Sequence, residues 1–184
     1  MELGAAYLSR LDEVQEFYKY CEQAPTLSGE TVRIAMLDGD HVIYLARYEG
    51  HPAVRLTSNI GDKMPVSLCS VGKALIAQLH DHDIDAMFPD GMELPTMTAN
   101  SLKTAEELKA QISTIRKQGG YAFEDEESTV GVVCLAVPVP THGAHGPSLG
   151  LSVTALKATY SEEQGASWSR NLRNWRVPWV TPMG

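Results

Sequence analysis

The segment that most constrains the fold is a predicted β-hairpin at residues 30–50, ETVRIAMLDGDHVIYLARYEG. On both sides of a short break every second residue is apolar or small: Val32, Ile34 and Met36, then Val42, Tyr44 and Ala46. Alternation with a period of two residues is typical of a strand that buries one face. The break contains Asp38-Gly39, a pair that favours a tight hairpin turn. The chain is therefore expected to build an antiparallel or mixed sheet that contains this hairpin.

Two periodicities predict the remaining elements. Helices are expected over residues 5–24, 70–79, 81–88 and 104–120, and further strands over 53–61, within 121–127, over 130–140 and over 148–156. The helix over 104–120 has the clearest limits, because Thr104 can cap it, Glu107 can complete a capping box, and a Gly-Gly pair fits its C-terminal end. Hairpins at both ends of this order favour a sheet flanked by helices, and no strand is followed by the GxGxxG of a dinucleotide-binding fold.

Composition limits the classes of function. The 184 residues suffice for one domain with a core, and a net charge of -8 argues against a nucleic-acid-binding surface on the chain itself. The three cysteines have no zinc-binding spacing, so reduced thiols and no metal or other cofactor are expected. No apolar stretch approaches the ~20 residues of a membrane span, and no signal peptide is recognisable. A cytoplasmic protein without a membrane partner is expected.

Four segments taken in order resemble a known family: TVRIAMLDGDHVIYLARYEG, IGDKMPVSLCSVGKALIAQL, QGGYAFEDEESTVGVVCLAVPVP and SLGLSVTAL. Together, over residues 3–163, they resemble the effector-binding domain of IclR-family transcriptional regulators. The family's helix start of a small residue and Gly-Lys-Ala matches Gly72-Lys73-Ala74, and its Cys-X-Ala-X-Pro-Val matches Cys134 to Val139. The resemblance implies an α+β fold, GAF-like or profilin-like, with a curved and mainly antiparallel six-stranded sheet flanked by helices.

The resemblance also implies an organisation and partners. Full-length members carry an N-terminal winged helix-turn-helix that binds promoter DNA, and ELGAAYL resembles the start of the linker helix that follows it. The chain is therefore expected to be an excised effector-binding domain, residues 1–163, that forms a homodimer or homotetramer and meets DNA only through the missing module. Residues 164–184 are expected to be an atypical tail without a sustained apolar stripe, and no packed helix is predicted beyond about Trp175.

The Gly72-Lys73 pair is similar to the end of a phosphate-binding loop, but the rest of that motif is missing. A Walker loop requires a glycine five residues before Gly72 and Ser or Thr after the lysine, whereas the chain has Ser67 and Ala74 at these positions. A nucleoside triphosphate site is therefore not expected. Lys73 is expected to point outward from the helix rather than to grip a ligand.

The start of the same helix is the first part of a predicted anion site. Free backbone N–H groups at a helix start carry partial positive charge, and the small residues Ser70 and Gly72 would let a ligand approach them. The resemblance implies that the backbone at Ser70 and Val71 binds the carboxylate of an effector. Capping of the helix by the Ser70 side chain is the alternative interpretation.

The strands are expected to supply the other side of the pocket. Ser152 and Thr154 alternate, so their hydroxyls share one face, which points either to a carboxylate or to solvent. The resemblance places Glu124 near a ligand hydroxyl and Cys134 in the pocket lining, although a lone cysteine is most often a small buried hydrophobe. The other carboxylates of the run at 124–127 are expected to form a solvated acidic turn. An apolar wall is expected from Val66, Leu68, Met87 and Leu94, with Met64 and Met97 also suited to it.

Three hypotheses of function remain open. The first is the ligand-sensing domain of a transcriptional regulator, not an enzyme, which binds a small carboxylate or aromatic acid and thereby changes DNA affinity. The second is an enzyme acting on a small acid, with Cys134 or Cys69 as nucleophile. The third is an oligomerisation module without a ligand.

Overall fold

The computed structural model describes residues 11–27, 29–50, 59–140 and 149–175. In chain order the elements are helix α1 (Leu11–Gln23), strands β1 (Thr31–Asp38), β2 (His41–Glu49) and β3 (Lys63–Pro65), a 3-10 turn (Val66–Leu68), helices α2 (Ser70–Ile76), α3 (Asp81–Met87) and α4 (Ala105–Lys117), strands β4 (Ala122–Asp125), β5 (Val132–Pro138) and β6 (Leu149–Leu156), a second 3-10 turn (Lys157–Thr159) and helix α5 (Glu162–Asn174). The start of the first predicted helix, residues 53–58 of the third predicted strand and the chain after Trp175 lie outside the described residues.

The six strands form one curled sheet in the order β3-β2-β1-β6-β5-β4, and every neighbouring pair is antiparallel. This confirms the α+β class and the six-stranded antiparallel sheet. The predicted hairpin is β1–β2, and Gly39 occupies its turn with a φ of 62°, a backbone conformation that glycine adopts without strain. The third strand differs from the prediction, because β2 pairs with the three residues Lys63–Pro65 and residues 59–61 are not in a strand.

The sheet separates two apolar cores. Helices α1 and α5 cover one face, where Phe17 and Trp168 pack on alternate residues of the strands. Helices α2, α3 and α4 cover the other face, with α2 directly on the sheet. Gly150 on β6 allows this close approach, because a Cβ there would lie 2.6 Å from Val71 Cγ2. Both faces of the central strands are therefore buried, whereas the alternation in the hairpin predicted one buried face.

Helix α5 occupies the segment in which no sustained apolar stripe was found. Ser161 and Gln164 form a complete capping box at its start. Trp168, Leu172 and Trp175 then follow at helical spacing and are buried in the same core as α1. Three large side chains thus pack α5 against the sheet, although no sustained apolar stripe was predicted there. The division of the chain at residue 163 stays a prediction, although α5 crosses it.

Both ends of α4 lie where the sequence predicted them, but one hydrogen bond of the predicted capping box is different. Thr104 Oγ1 accepts a hydrogen bond from the backbone N–H of Glu107 at 3.3 Å, as expected for a cap. The Glu107 carboxylate accepts from the backbone N–H of Lys103 at 2.6 Å, which lies one residue before the cap. The predicted reciprocal box is therefore not the one that forms. Gly119 and Gly120 follow with φ of 88° and 85° and end the helix.

Candidate functional site

The four predicted strand residues form one polar row on the face of the sheet that α2 covers. Glu124 on β4 lies opposite Cys134 on β5, and Cys134 lies opposite Thr154 on β6. Ser152 lies two residues before Thr154 and therefore shares its face. Ser152 and Thr154 are 1% and 0% exposed, so the alternative of a solvent-facing strand surface is wrong.

Glu124 and Ser152 differ in whether their side-chain oxygens have hydrogen-bond partners. The Glu124 carboxylate is buried, and its Oε1 accepts hydrogen bonds from the backbone N–H and the hydroxyl of Ser128, at 2.9 and 2.8 Å. The Ser152 hydroxyl is also buried, and no hydrogen-bond partner for it occurs within the described parts of the chain. Since a buried hydroxyl without a partner is unfavourable, Ser152 Oγ marks a place where a polar ligand atom would be stabilised.

The start of α2 stands over this row, and two expectations about it change: the capping role of Ser70 and the reason for Gly72. Cys69, not Ser70, occupies the N-cap position, and its side chain makes no capping hydrogen bond, so the capping interpretation for Ser70 is wrong. Ser70, Val71 and Leu68 are all buried. A Cβ on Gly72 would lie 2.5 Å from Val66 Cα, so this glycine is required where α2 packs on the preceding 3-10 turn. It does not open space for a ligand.

The two buried thiols near the row are poor nucleophiles. Burial is the main cause that raises the pKa of Cys134 to about 12 and that of Cys69 to about 11. The Glu124 carboxylate raises both pKa values further, and the Arg33 guanidinium lowers them. Because the thiolate is the reactive form, both side chains are protonated and unreactive near neutral pH.

Arg33 belongs to the row and is not among the residues predicted for the site. It lies on β1 opposite Ser152 and is 7% exposed. Its Nη2 donates a hydrogen bond to Thr154 Oγ1 at 3.1 Å, and its Cζ lies 4.4 Å from the centre of the Tyr44 ring. Arg33 alternates with apolar Val32 and Ile34, a pattern that is typical of a polar side chain on the solvent-facing side of a strand. Ala35 lies on the same face and is buried in the core around α2, which the local alternation does not reveal.

The prediction that Lys73 points outward from the helix is wrong, because its side chain is completely buried. Its Nζ forms an ion pair with the Glu127 carboxylate and donates a hydrogen bond to Gln111 Oε1 at 2.9 Å. Glu127 is 6% exposed, so the expectation of a solvated acidic turn is wrong for this residue. The ion pair joins α2 to the segment that follows β4, and Gln111 joins both to α4.

The segment after β4 is held in place by the loop between α3 and α4. Thr98 Oγ1 donates to the Glu126 carbonyl at 2.6 Å, and Ser101 Oγ donates to the Glu127 carbonyl at 2.5 Å. Asn100 Nδ2 donates to the Asp125 carbonyl at 3.2 Å. These bonds fix Glu127 against Lys73 and therefore fix the position of the first turn of α2.

The predicted apolar wall is mostly part of the core. Val66 and Leu94 are buried in the core around α2, Met64 and Met87 are half-buried against it, and Met97 is 56% exposed. Two surface clefts lie elsewhere, one of about 560 Å³ beside Gln78 and Gly120 and one of about 290 Å³ beside Ile84 and Ser113. None of the predicted site residues lines either cleft. The candidate site is thus a packed interior row and not one of these clefts.

Metal-binding clusters and membrane-spanning helices are both absent from the described residues. Among the described residues, no three His, Cys, Asp or Glu side chains are grouped so that they could hold a metal ion. No helix in the same ranges is both long and apolar enough to cross a membrane.

Comparison with protein families and curated proteins places the chain among bacterial regulators. The family model described as "Bacterial transcriptional regulator IclR C-terminal" matches residues 5–176. The HTH-type transcriptional regulator XynR of Escherichia coli (strain K12) is 30% identical over 173 residues, which cover 94% of this chain and 68% of XynR. The chain spans 45% to 68% of the length of the first curated relatives that it matches.

Solved structures share the fold. The Thermotoga maritima IclR structure superposes with a TM-score of 0.81 at 26% identity, covering 93% of this chain and 68% of that one. An IclR homolog from Microbacterium hydrocarbonoxydans, crystallised as a complex with 4-hydroxybenzoate, superposes with a TM-score of 0.73 and covers 86% of this chain and 64% of its own. Its identity is 19%, so this second likeness concerns the fold alone.

Proposed function

The chain belongs to the IclR family of bacterial transcriptional regulators as a C-terminal domain, and we propose that it senses a small organic acid. The observation that carries the proposal is the buried Ser152 hydroxyl, which has no hydrogen-bond partner in the described chain and lies in a polar row below α2. Such a group is unfavourable in a purely structural core. It is satisfied when a ligand oxygen lies beside it.

The proposed binding mode uses the predicted residues in distinct roles. The carboxylate of the effector lies between the backbone N–H groups of Ser70 and Val71 and the hydroxyls of Ser152 and Thr154. Glu124, already oriented by Ser128, accepts a hydrogen bond from a hydroxyl of the effector. The side chains of Cys134 and Leu68 line the pocket, and Gly72 contributes by allowing α2 to lie close.

The proposed output is a shift in the equilibrium between two arrangements of a longer regulator. An effector can shift that equilibrium only by its difference in affinity for the two arrangements. In this proposal the intact protein is a cytoplasmic homodimer or homotetramer that contacts promoter DNA through a separate N-terminal module. The Microbacterium homolog, a protein of the same fold, was crystallised with 4-hydroxybenzoate, and we therefore include this aromatic acid among the effectors to be tested.

The hypothesis of an enzyme with a cysteine nucleophile has less support. The raised pKa values of Cys134 and Cys69 keep both thiols protonated at neutral pH. The curated relatives are regulators by name. The ligand-free oligomerisation hypothesis leaves the buried Ser152 hydroxyl without a role.

Thermal unfolding in the presence of acids tests the proposal. The panel pairs each acid with its neutral amide: 4-hydroxybenzoate with 4-hydroxybenzamide, benzoate with benzamide, and lactate with lactamide. An acid present at 100 times its Kd stabilises the folded chain by about 2.7 kcal/mol, or a rise in Tm of roughly 5–10 °C. Product analysis by mass spectrometry should show no conversion of the acid.

A matched pair of variants locates the site. Ser152→Ala should reduce the shift caused by an acid, while Ser113→Ala, which removes an exposed hydroxyl on α4, should leave it unchanged. Absence of stabilisation by every acid in the panel would count against the proposed function. An unchanged shift in Ser152→Ala would show that the acid binds somewhere else.

A further inference from the structure

Arg33 is a buried charged side chain to which the proposed function assigns no role. Its guanidinium lies among side chains of three strands, with Nη2 3.1 Å from Thr154 Oγ1 on β6 and 3.9 Å from Cys134 Sγ on β5. On its other side the face of the Tyr44 ring on β2 lies 4.4 Å from Cζ. Thr154 and Tyr44 thus fix the position and the plane of the guanidinium before any ligand arrives.

This position brings a positive charge to the two hydroxyls of the proposed site. Arg33 is the direct neighbour of Ser152 across the β1–β6 pair and a hydrogen-bond partner of Thr154. A carboxylate that accepts hydrogen bonds from the hydroxyls of Ser152 and Thr154 therefore lies beside the guanidinium. An arginine at such a place can bind a carboxylate through two parallel N–H groups.

The charge of Glu124 adds a second argument. Glu124 is the other buried charged group of the row, separated from Arg33 by the side chains of Cys134 and Thr154. A carboxylate entering the row would repel the Glu124 carboxylate if no positive charge lay between or beside them. Arg33 on β1 supplies this positive charge, at the end of the row opposite to Glu124 on β4.

We propose that Arg33 is the cationic partner of the effector carboxylate and the residue that selects acids over their neutral analogues. This inference rests on the proposed function and deepens it, because it names a residue outside the predicted set. It also assigns an orientation, with the carboxylate toward β1 and any hydroxyl toward Glu124 on β4.

The experiment measures the Kd values of 4-hydroxybenzoate, 4-hydroxybenzamide, lactate and lactamide by isothermal titration calorimetry on the 184-residue chain and its variants. Arg33→Met should weaken the binding of either acid about 10- to 100-fold, which is the usual loss for a charge-assisted hydrogen-bonded pair. The amide should lose less than about threefold, since no charged pair is removed. The ratio of amide Kd to acid Kd therefore falls toward one.

Arg173→Met is the matched control. Arg173 on α5 also lies over a tyrosine ring, with Cζ 5.3 Å from the centre of Tyr121, and α5 covers the opposite face of the sheet. Arg173→Met removes the same charge and the same kind of contact, yet all four Kd values should stay within about twofold of those of the wild-type chain. Arg33→Lys, which keeps the charge without the planar fork, should give an intermediate loss for the acids.

The possible results separate the two proposals. If wild-type chain binds neither acid, the proposed function is refuted and this inference with it. If wild-type chain binds an acid and Arg33→Met keeps the wild-type ratio of amide to acid Kd, only the role of Arg33 is refuted. If Arg33→Met does not unfold cooperatively, Arg33→Lys decides: unchanged acid binding refutes the paired geometry, and a selective loss for the acids supports it.

Discussion

Removing either partner of the buried Lys73–Glu127 ion pair should destabilise the fold strongly. The two side chains are 0% and 8% exposed, so a partner left alone keeps its charge in a desolvated place. Loss of one member of a buried pair costs about 3–5 kcal/mol. With a urea m-value near 2 kcal/mol/M, Lys73→Met and Glu127→Leu should each lower the urea midpoint by roughly 1.5–2.5 M.

The double variant distinguishes a true pair from two separate packing defects. Lys73→Met combined with Glu127→Leu leaves no charge unpaired, so its unfolding free energy should lie within about 2 kcal/mol of that of the wild-type chain. The Lys63–Asp38 pair, at 2.8 Å and about half exposed on both sides, is the control. Lys63→Met should cost less than ~1 kcal/mol. The reasoning is refuted if Lys73→Met costs no more than Lys63→Met, or if the two single losses simply add in the double variant.

Three further predictions concern packing, the site and the thiols. Gly72→Ala should cost about 1–3 kcal/mol in urea unfolding, because its Cβ would lie 2.5 Å from backbone Cα of Val66, which cannot move aside as a side chain can. Ser152→Ala should change the urea midpoint little or raise it, because it removes a buried hydroxyl that has no partner in the described chain; a large loss of stability would contradict this. Burial raises the pKa of Cys21 and Cys134 from 9.0 to about 12, so the folded chain holds protons that the unfolded chain releases. The contribution of these two thiols to the free energy of unfolding is therefore fully present below about pH 9 and falls as the pH rises from about 9 to about 12. A flat profile over this range in urea titrations would show that the thiols are not buried as described.

Local sequence patterns predicted most of the secondary structure. The hairpin β1–β2 follows from alternation around Asp38-Gly39, and α4 follows from its cap and its Gly-Gly end, since both signals act within a few residues. Strand β3 (Lys63–Pro65) was not predicted, because three residues are too few to show a period. The buried stripe of α5 was not predicted because it consists of only three large side chains, Trp168, Leu172 and Trp175.

The site was predicted only in part, because local sequence patterns do not show contacts between residues that are far apart in the chain. Glu124 and Cys134 were named from a resemblance, and Ser152 and Thr154 from their alternation along one strand. The antiparallel register places all four in one buried row. The resemblance gave no role to Arg33. Local patterns gave none either, because its partner Thr154 is 121 residues away and its burial depends on a helix from another segment. Binding of an effector at this row stays a proposal.

The sequence by itself determined the order of most helices and strands, an antiparallel or mixed sheet and the resemblance to the family, because these depend on periodicity, turn residues and ordered motifs. Only the tertiary structure decided which charges are inside. All seven residues of α2 are buried between the sheet and neighbouring helices, so Lys73 has no solvent-facing direction and pairs with Glu127, 54 residues away. Arg33 is buried for the same reason, since α2 covers the strand face that alternation alone would leave to water. Whether a charged side chain is buried depends on what distant segments place against it, which no local pattern contains.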